Sequence, residues 1–256
     1  MSAIYDLATM PTTYDFAAWC VIARTHGERH VHFIADRPIA DWKYPADTAW
    51  KRWATICIPL TKLSGMSYSV GARQIGKEFG YHGGQVNALY RQKGRIEKLK
   101  PTIKNEQSGY VTITLRDSFR NKHRNSNMEA WMLFEKYLRE RGREVVVIPE
   151  CEDQPMNLEH RMALYCGASM NMGVAQGPMA LCVFSDAPYI TLNQNPPDPK
   201  GEAQYDINRL LVKTGFPPGS QYDFRTERQL LVWEPDSFEN IVKSFDAMMQ
   251  PQEIAA

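Results

Sequence analysis

The residues best suited to chemistry follow two apolar runs. Val111 to Leu115 (VTITL) is apolar and β-branched, the composition of a buried strand, and it closes on Arg116, Asp117, Arg120, Lys122, His123 and Arg124. Behind that loop, Ser126-Asn127-Met128-Glu129 has the S-x-x-E form of a capping box. Ala130, Trp131, Phe134, Tyr137 and Leu138 then share one face of a helix. In an open α/β sheet such a cationic loop sits at the carboxyl end of a strand, where ligands bind. Arg116, Arg120 and Arg124, beside helix N–H groups, suit a phosphate or another anion, because a guanidinium makes bidentate, charge-assisted bonds and keeps its charge. The plainer alternative is a solvated loop in which Arg116 pairs with Asp117. Asn125 and Asn127 read as caps.

The second cluster is Gly173, Gln176, Gly177 and Pro178, in the small-residue turn GVAQGP. Glycine lets the backbone approach a ligand, and the helix after Pro178 offers N–H groups to an anion; an ordinary tight strand–helix turn is the alternative. Asn193, after PYITL, either contacts a ribose or base or forms an Asx-turn in the Pro-rich loop NQNPPDPKG. The six histidines have no H-x-x-x-H spacing and no Asp-x-Asp accompanies them, so no metal site is expected. A Walker loop and a G-x-S-x-G turn are also absent.

The elements that must position these residues form two β-α series. The first has strands over Ala3–Leu7, His30–Ala35 and Met66–Val70. Its helices are expected over Tyr14–Arg24, Thr48–Leu63 (bent at Pro59) and Ala72–Phe79. Gly83-Gly84 reads as a break, and Tyr81 to Gln107 as a linker or hinge. Arg91 to Lys104 carries six basic residues against one Glu. Without interleaved aromatics that run argues against nucleic acid. The second series has strands at Val111–Leu115, Val145–Ile148 (stopped by Pro149), Ser169–Met172, Pro188–Leu192 and Leu230–Trp233. Its helices are capped by Asn157 and, at the end, by Asp236. The fold class expected is α/β, with two Rossmann-like lobes whose parallel sheets face a cleft. The lobes are placed at residues 1–90 and 110–256, with a linker at 91–109.

The 256 residues are 43% hydrophobic and 23% charged, with a net charge of +1, which suits a globular protein with no global field for nucleic acid or membrane. No run of apolar residues is long enough for a transmembrane helix, and no signal-peptide pattern opens the chain. Five scattered cysteines without C-x-x-C spacing fit free thiols and a reducing cytoplasm.

The stretch LEHRMALYCGASMNMGVAQGPMALCVFSDAPYITLN resembles the nucleotide-sugar side of two-domain, GT-B-type glycosyltransferases, with the heptosyltransferases nearest. VTITLR with its polar loop is similar to the first phosphate-binding motif of fucosyltransferases, and LVWEPDSFENIVKSF to the terminal strand and helix of such domains. The resemblance spans Tyr110 to Met248; the first hundred residues match in layout. It implies a nucleotide-sugar donor as substrate and no cofactor. Arg116, Arg120, Arg124 and the Gly173–Pro178 turn would hold the donor's diphosphate, and the first lobe would receive a glycan or lipid-linked acceptor. It also implies a catalytic carboxylate at Asp15, which otherwise reads as a helix cap. Asp36, at the end of HVHFIA, is the second choice, and His32 reads as a packed or surface histidine. The expected function is metal-independent transfer of a sugar to a hydroxyl, as in polysaccharide biosynthesis. The alternatives are a non-catalytic nucleotide- or glycan-binding module of the same fold and a nucleic-acid-associated protein. Which sugar, nucleotide and acceptor are used, and whether transfer retains or inverts configuration, is not legible.

Overall fold

The computed structural model describes residues 2–37, 45–119, 121–150, 156–197 and 200–250. The first half runs β1 (Ala3–Asp6), α1 (Phe16–Thr25), β2 (His30–Ile34), α2 (Ala46–Arg52), α3 (Ile58–Leu63), β3 (Ser67–Gly71) and α4 (Gly83–Lys93). Its strands lie parallel in the order β1-β2-β3. Tyr5 and Phe33 point from one face of this sheet and pack with Phe16 and Trp19 of α1, all fully buried. α2 and α3 are joined through a π-turn, Trp53–Cys57, just before Pro59. The expected irregularity at Pro59 takes this form because proline brings no N–H to the helical ladder.

The second half runs β4 (Val111–Arg116), α5 (Met128–Glu140), β5 (Val145–Glu150), α6 (Leu158–Gly167), β6 (Met170–Val174), α7 (Ala180–Val183), β7 (Tyr189–Leu192), α8 (Ile207–Thr214), β8 (Gln229–Leu231) and α9 (Phe238–Met249). The order is β5-β4-β6-β7-β8, all parallel. From β4 the chain first winds outward to β5 and then returns past β4 to β6. That reversal is a topological switch point, and the crevice outside the carboxyl ends of β4 and β6 is where such sheets take ligands. The α/β class and the two parallel sheets are as expected from the sequence.

Several local expectations are corrected. Residues 72–79 form a strap rather than a helix. Lys77 lies beside the free edge of β1, where Ile4 N donates to Lys77 O at 2.9 Å and Lys77 N to Ser2 O at 3.1 Å. Those edge groups need partners, and the strap supplies them. Gly83 and Gly84 do not break the chain; they open α4. A Cβ on Gly84 would lie 2.6 Å from Val212 O and 2.8 Å from Gly215 N, so these glycines allow α4 to reach the end of α8. The stretch from 94 to 110 lacks regular structure but is tied to both halves. Leu99 is buried and donates its N–H to Phe184 O, Lys100 N donates to Leu63 O, and Glu97 N to Thr25 Oγ1. Two residues of the basic run Arg91–Lys104 pair within the molecule: Arg91, near the end of α4, with Asp223, and Lys98 with Asp186 at 2.9 Å.

The last strand of the first half and the first of the second are not the limits of two separate cores. A single cluster joins Trp19, Leu60 and Phe33 to Met162, Tyr165 and Tyr189. A second, beneath α5 and α9, holds Trp131, Phe134, Met172 and Phe245. β5 continues through Pro149 to Glu150. The cap of α9 is Ser237; the buried Asp236 instead accepts from Asn127 N and Trp131 Nε1, both at 2.8 Å. Likewise Asn127 caps α5, while Ser126 Oγ accepts from Arg116 N at 2.9 Å. α8 was not expected, although Asp206 caps it and Gly215 ends it in the left-handed conformation. Cys20, Cys57 and Cys182 are buried free thiols, and Cys166 is an exposed one. No helix among the described residues is long and apolar enough to cross a membrane.

Gly84→Val should therefore push α4 away from α8. The expected loss is about 1–3 kcal/mol of stability, the usual cost of overpacking, measured as a lower denaturant midpoint. Gln92→Ala on the exposed face of α4 should stay within about 0.5 kcal/mol.

Candidate active site

A cavity of about 720 Å³ lies where the two halves meet. Its floor is built from strand ends of the second sheet: Arg116 closes β4, Glu150 closes β5, Ala175 and Gln176 follow β6, Thr191 lies in β7 and Leu231 closes β8. The first half contributes Thr13, Tyr14 and Asp15 before α1, Arg52 at the end of α2, and Tyr81 and His82 before α4. Lys213 of α8 and the following Tyr222 complete the side wall.

Each anion-binding candidate has a local reason for its place. The backbone of Arg116 is clamped on both sides by Ser126, whose Oγ accepts from Arg116 N and whose N donates to Arg116 O. Arg124 ends a short 3-10 turn, Lys122–Arg124, and donates to Ala175 O at 3.0 Å, which brings its guanidinium to the end of β6. Asn121 enters that turn with φ +52° and also lines the cavity. Gln176 is buried. Its Nε2 donates to Thr114 O at 2.9 Å, and its Oε1, also buried, has no protein partner. An orphaned buried acceptor on a cavity wall is a place for a ligand donor or an ordered water. Gly177 and Pro178 open a 3-10 turn that leads into α7. The ring of Tyr14 lies so close to Gly177 that an added Cβ would meet Tyr14 Cε2 at 2.9 Å. That contact joins the two halves at the cavity floor.

Beneath the floor is a buried ion pair. Arg161 Nη2 lies 2.8 Å from Glu150 Oε2, and Arg161 Nη1 donates to Tyr165 Oη at 3.2 Å. Arg161 is almost fully enclosed. Burial works against its charge, but Tyr165, Glu150 and Tyr14 outweigh that and hold it protonated. Burial also pushes the Glu150 carboxyl up, opposed by Arg161 and by the cavity arginines Arg116 and Arg52. With Glu150 neutralised from behind, Arg52, Arg116, Arg124 and Lys213 face the cavity against Asp15, so the local field favours an anion.

The sequence-based candidates divide as follows. Asp15, Arg116, Arg124, Gln176, Gly177 and Pro178 all line this one cavity. Asp15 starts α1 in helical conformation, but its side chain makes no capping bond; Thr13 Oγ1 donates to Asp15 Oδ2 at 2.9 Å instead. Arg120 lies outside the described residues. Gly173 is not on the wall. It faces Thr114 O, 2.9 Å from where a Cβ would sit, and so serves the pairing of β4 with β6. Asn193, at φ +57°, donates through its backbone to Glu234 O and lies off the cavity, whereas Gln194 lines it. Asp36 is also off the cavity and accepts from Arg73 N at 2.8 Å. His32 is packed, with Nδ1 2.9 Å from Ser69 Oγ. Glu150, His82, Lys213 and Tyr222 were missed. Only Glu150 carried a signal, as a carboxylate at the end of the strand VVVI.

No protein-family model and no curated protein sequence matches the chain. Among solved structures, the E. coli heptosyltransferase WaaC with ADP is similar at 13% identity and a TM-score of 0.48, over 96% of this chain and 99% of that one. The iron-containing dodecameric glycosyltransferase TibC of enterotoxigenic E. coli is similar at 12% identity and a TM-score of 0.48, over 98% of this chain and 79% of that one.

Arg161→Met should leave Glu150 buried without its counter-ion, at a cost of about 3–5 kcal/mol at neutral pH. Without Arg161 the carboxyl rises further, and the folded state then holds a proton that the unfolded state releases. Stability is lost as pH rises through that raised value, so the deficit should shrink on acidification. Adding Glu150→Gln should recover part of it; urea midpoints at two pH values measure both effects.

Proposed function

We propose that this protein is a glycosyltransferase that moves a sugar from a nucleotide-sugar donor to a hydroxyl of a glycan or lipid-linked acceptor. The observation that carries this reading is the cation-lined cavity at the β4/β6 switch point, with a carboxylate, Asp15, supplied to it by the other half. A sugar nucleotide has a diphosphate for the arginines and a flat, partly apolar nucleoside. Arg116 and Arg124 fit the diphosphate, beside the Gln176–Gly177 backbone. Thr191, Gln194, Tyr205 and Leu231, farther along the same wall, fit the nucleoside.

In this reading the sugar's anomeric carbon faces the first half. As the acceptor oxygen bonds to that carbon, the bond to the diphosphate breaks and its electron pair leaves on phosphate. Arg116, Arg124 and Lys213 neutralise the charge that develops, an electrostatic role best filled by groups already held in place. Those cations make a metal unnecessary to the step we propose. Asp15 promotes loss of the acceptor's proton.

A melting-temperature panel of ADP-, UDP-, GDP- and CMP-sugars tests donor binding. A true donor at 100 times its dissociation constant should stabilise the fold by about 2.7 kcal/mol. Arg116→Ala and Arg124→Ala should each weaken that binding by about 1.5–3 kcal/mol, the worth of a charged hydrogen bond, without lowering the melting point of the free protein. Asp15→Asn should leave donor binding intact and lower transfer by about 10²–10⁴. Donor binding without any transfer would identify a non-catalytic module instead.

A further inference from the structure

We propose that His82 is the group that takes the proton from the attacking hydroxyl, with Asp15 as the carboxylate that stabilises the imidazolium so formed. The inference rests on the transferase reading and names the proton acceptor within it.

His82 lies on the cavity wall that the first half supplies, as Asp15 does. Its place is set by packing. The next residue, Gly83, sits where a Cβ would be 2.5 Å from Tyr222 Oη and 2.9 Å from Lys213 O, so a residue without a side chain lets the chain pass this close to α8 and Tyr222. The His82 backbone N–H donates to Gln85 Oε1 at 3.0 Å, which fixes the main chain at the start of α4, and the Tyr81 ring lies 4.4 Å from the imidazole. An imidazole placed at a reaction cavity is suited to proton transfer, which depends on geometry before basicity.

The charges around it fit the same role. Asp15 faces His82 from the start of α1, Lys213 from α8, and Tyr222 from the segment after α8. Burial pulls the imidazole below its ordinary value, Asp15 pushes it back up and Lys213 lowers it, with a net lowering. Burial raises the Tyr222 phenol, with Asp15 adding to that, so it stays neutral. His82 is therefore an unprotonated base at neutral pH. An isolated carboxylate is a far weaker one, and Asp15 Oδ2 already accepts a bond from Thr13.

The step balances. The proton of the acceptor hydroxyl passes to an imidazole nitrogen as the new carbon–oxygen bond forms. The old bond breaks toward the diphosphate, and the imidazolium later returns its proton to solvent. Water can replace the acceptor, which makes slow donor hydrolysis a usable assay.

The test measures hydrolysis of whichever ADP-, UDP-, GDP- or CMP-sugar raises the melting temperature, as a function of pH. It compares the unmutated protein, His82→Gln and Asp15→Asn. For the unmutated protein the rate should fall on the acid side, through a limb below the ordinary histidine range. His82→Gln should keep the donor-induced melting shift, lose about 10²–10⁴ in rate and lose that limb. Asp15→Asn should keep the limb but move it to lower pH, because the anion that raises His82 is gone. A limb that survives in His82→Gln and vanishes in Asp15→Asn overturns the proposal and makes Asp15 the base. An unchanged rate in His82→Gln overturns it alone. No melting shift with any donor, or a shift without turnover, overturns the transferase reading and this inference with it.

Discussion

The contact on which the cavity depends is one between two backbones. α4 and the end of α8 meet at Gly84 and Gly215, with no side chain between them. That approach brings His82 and Lys213 to one wall and presses Gly83 against Tyr222. Interiors are close-packed, so a single methyl group at such a point must displace a helix rather than fill a gap. Farther along the cavity, Tyr14 against Gly177 does the same for the floor. The two halves are thus joined by glycine contacts on either side of the cavity, and a shared apolar core lies behind them.

The electrostatics follow from the same arrangement. Strand ends from β4 and β5 place Arg116 and Glu150 side by side in the sheet register. On its own this pairing would cancel the charge meant for an anion. Arg161, reaching up from α6, pairs with Glu150 from behind and offsets its charge beside the cavity arginines. The burial of that pair is costly, and its value lies in setting the sign of the field rather than in stability. Asp236 plays a comparable part on the other side of the sheet: its carboxylate holds Asn127 and Trp131, which orient α5 behind the arginine loop.

Sequence alone determined the α/β class, all eight strands to within about two residues at either end, and the anion-suited character of the Arg116–Arg124 loop and of the Gln176–Pro178 turn, which only the resemblance placed together. These were legible because strand composition, strand-end charge and turn chemistry are local properties. Tertiary structure alone decided which carboxylate and which imidazole share the cavity. Asp15 and Asp36 both follow a strand of the first sheet, but only Asp15 comes to face the second half. Gly83-Gly84 read as a break because a pair of glycines lowers helix propensity; packing against Gly215 outweighs that loss, and no local pattern reveals a partner some 130 residues away. His82 and Lys213 were invisible for the same reason. Each is an unremarkable polar residue until long-range packing, which depends on shape and not on sequence distance, sets them on one wall.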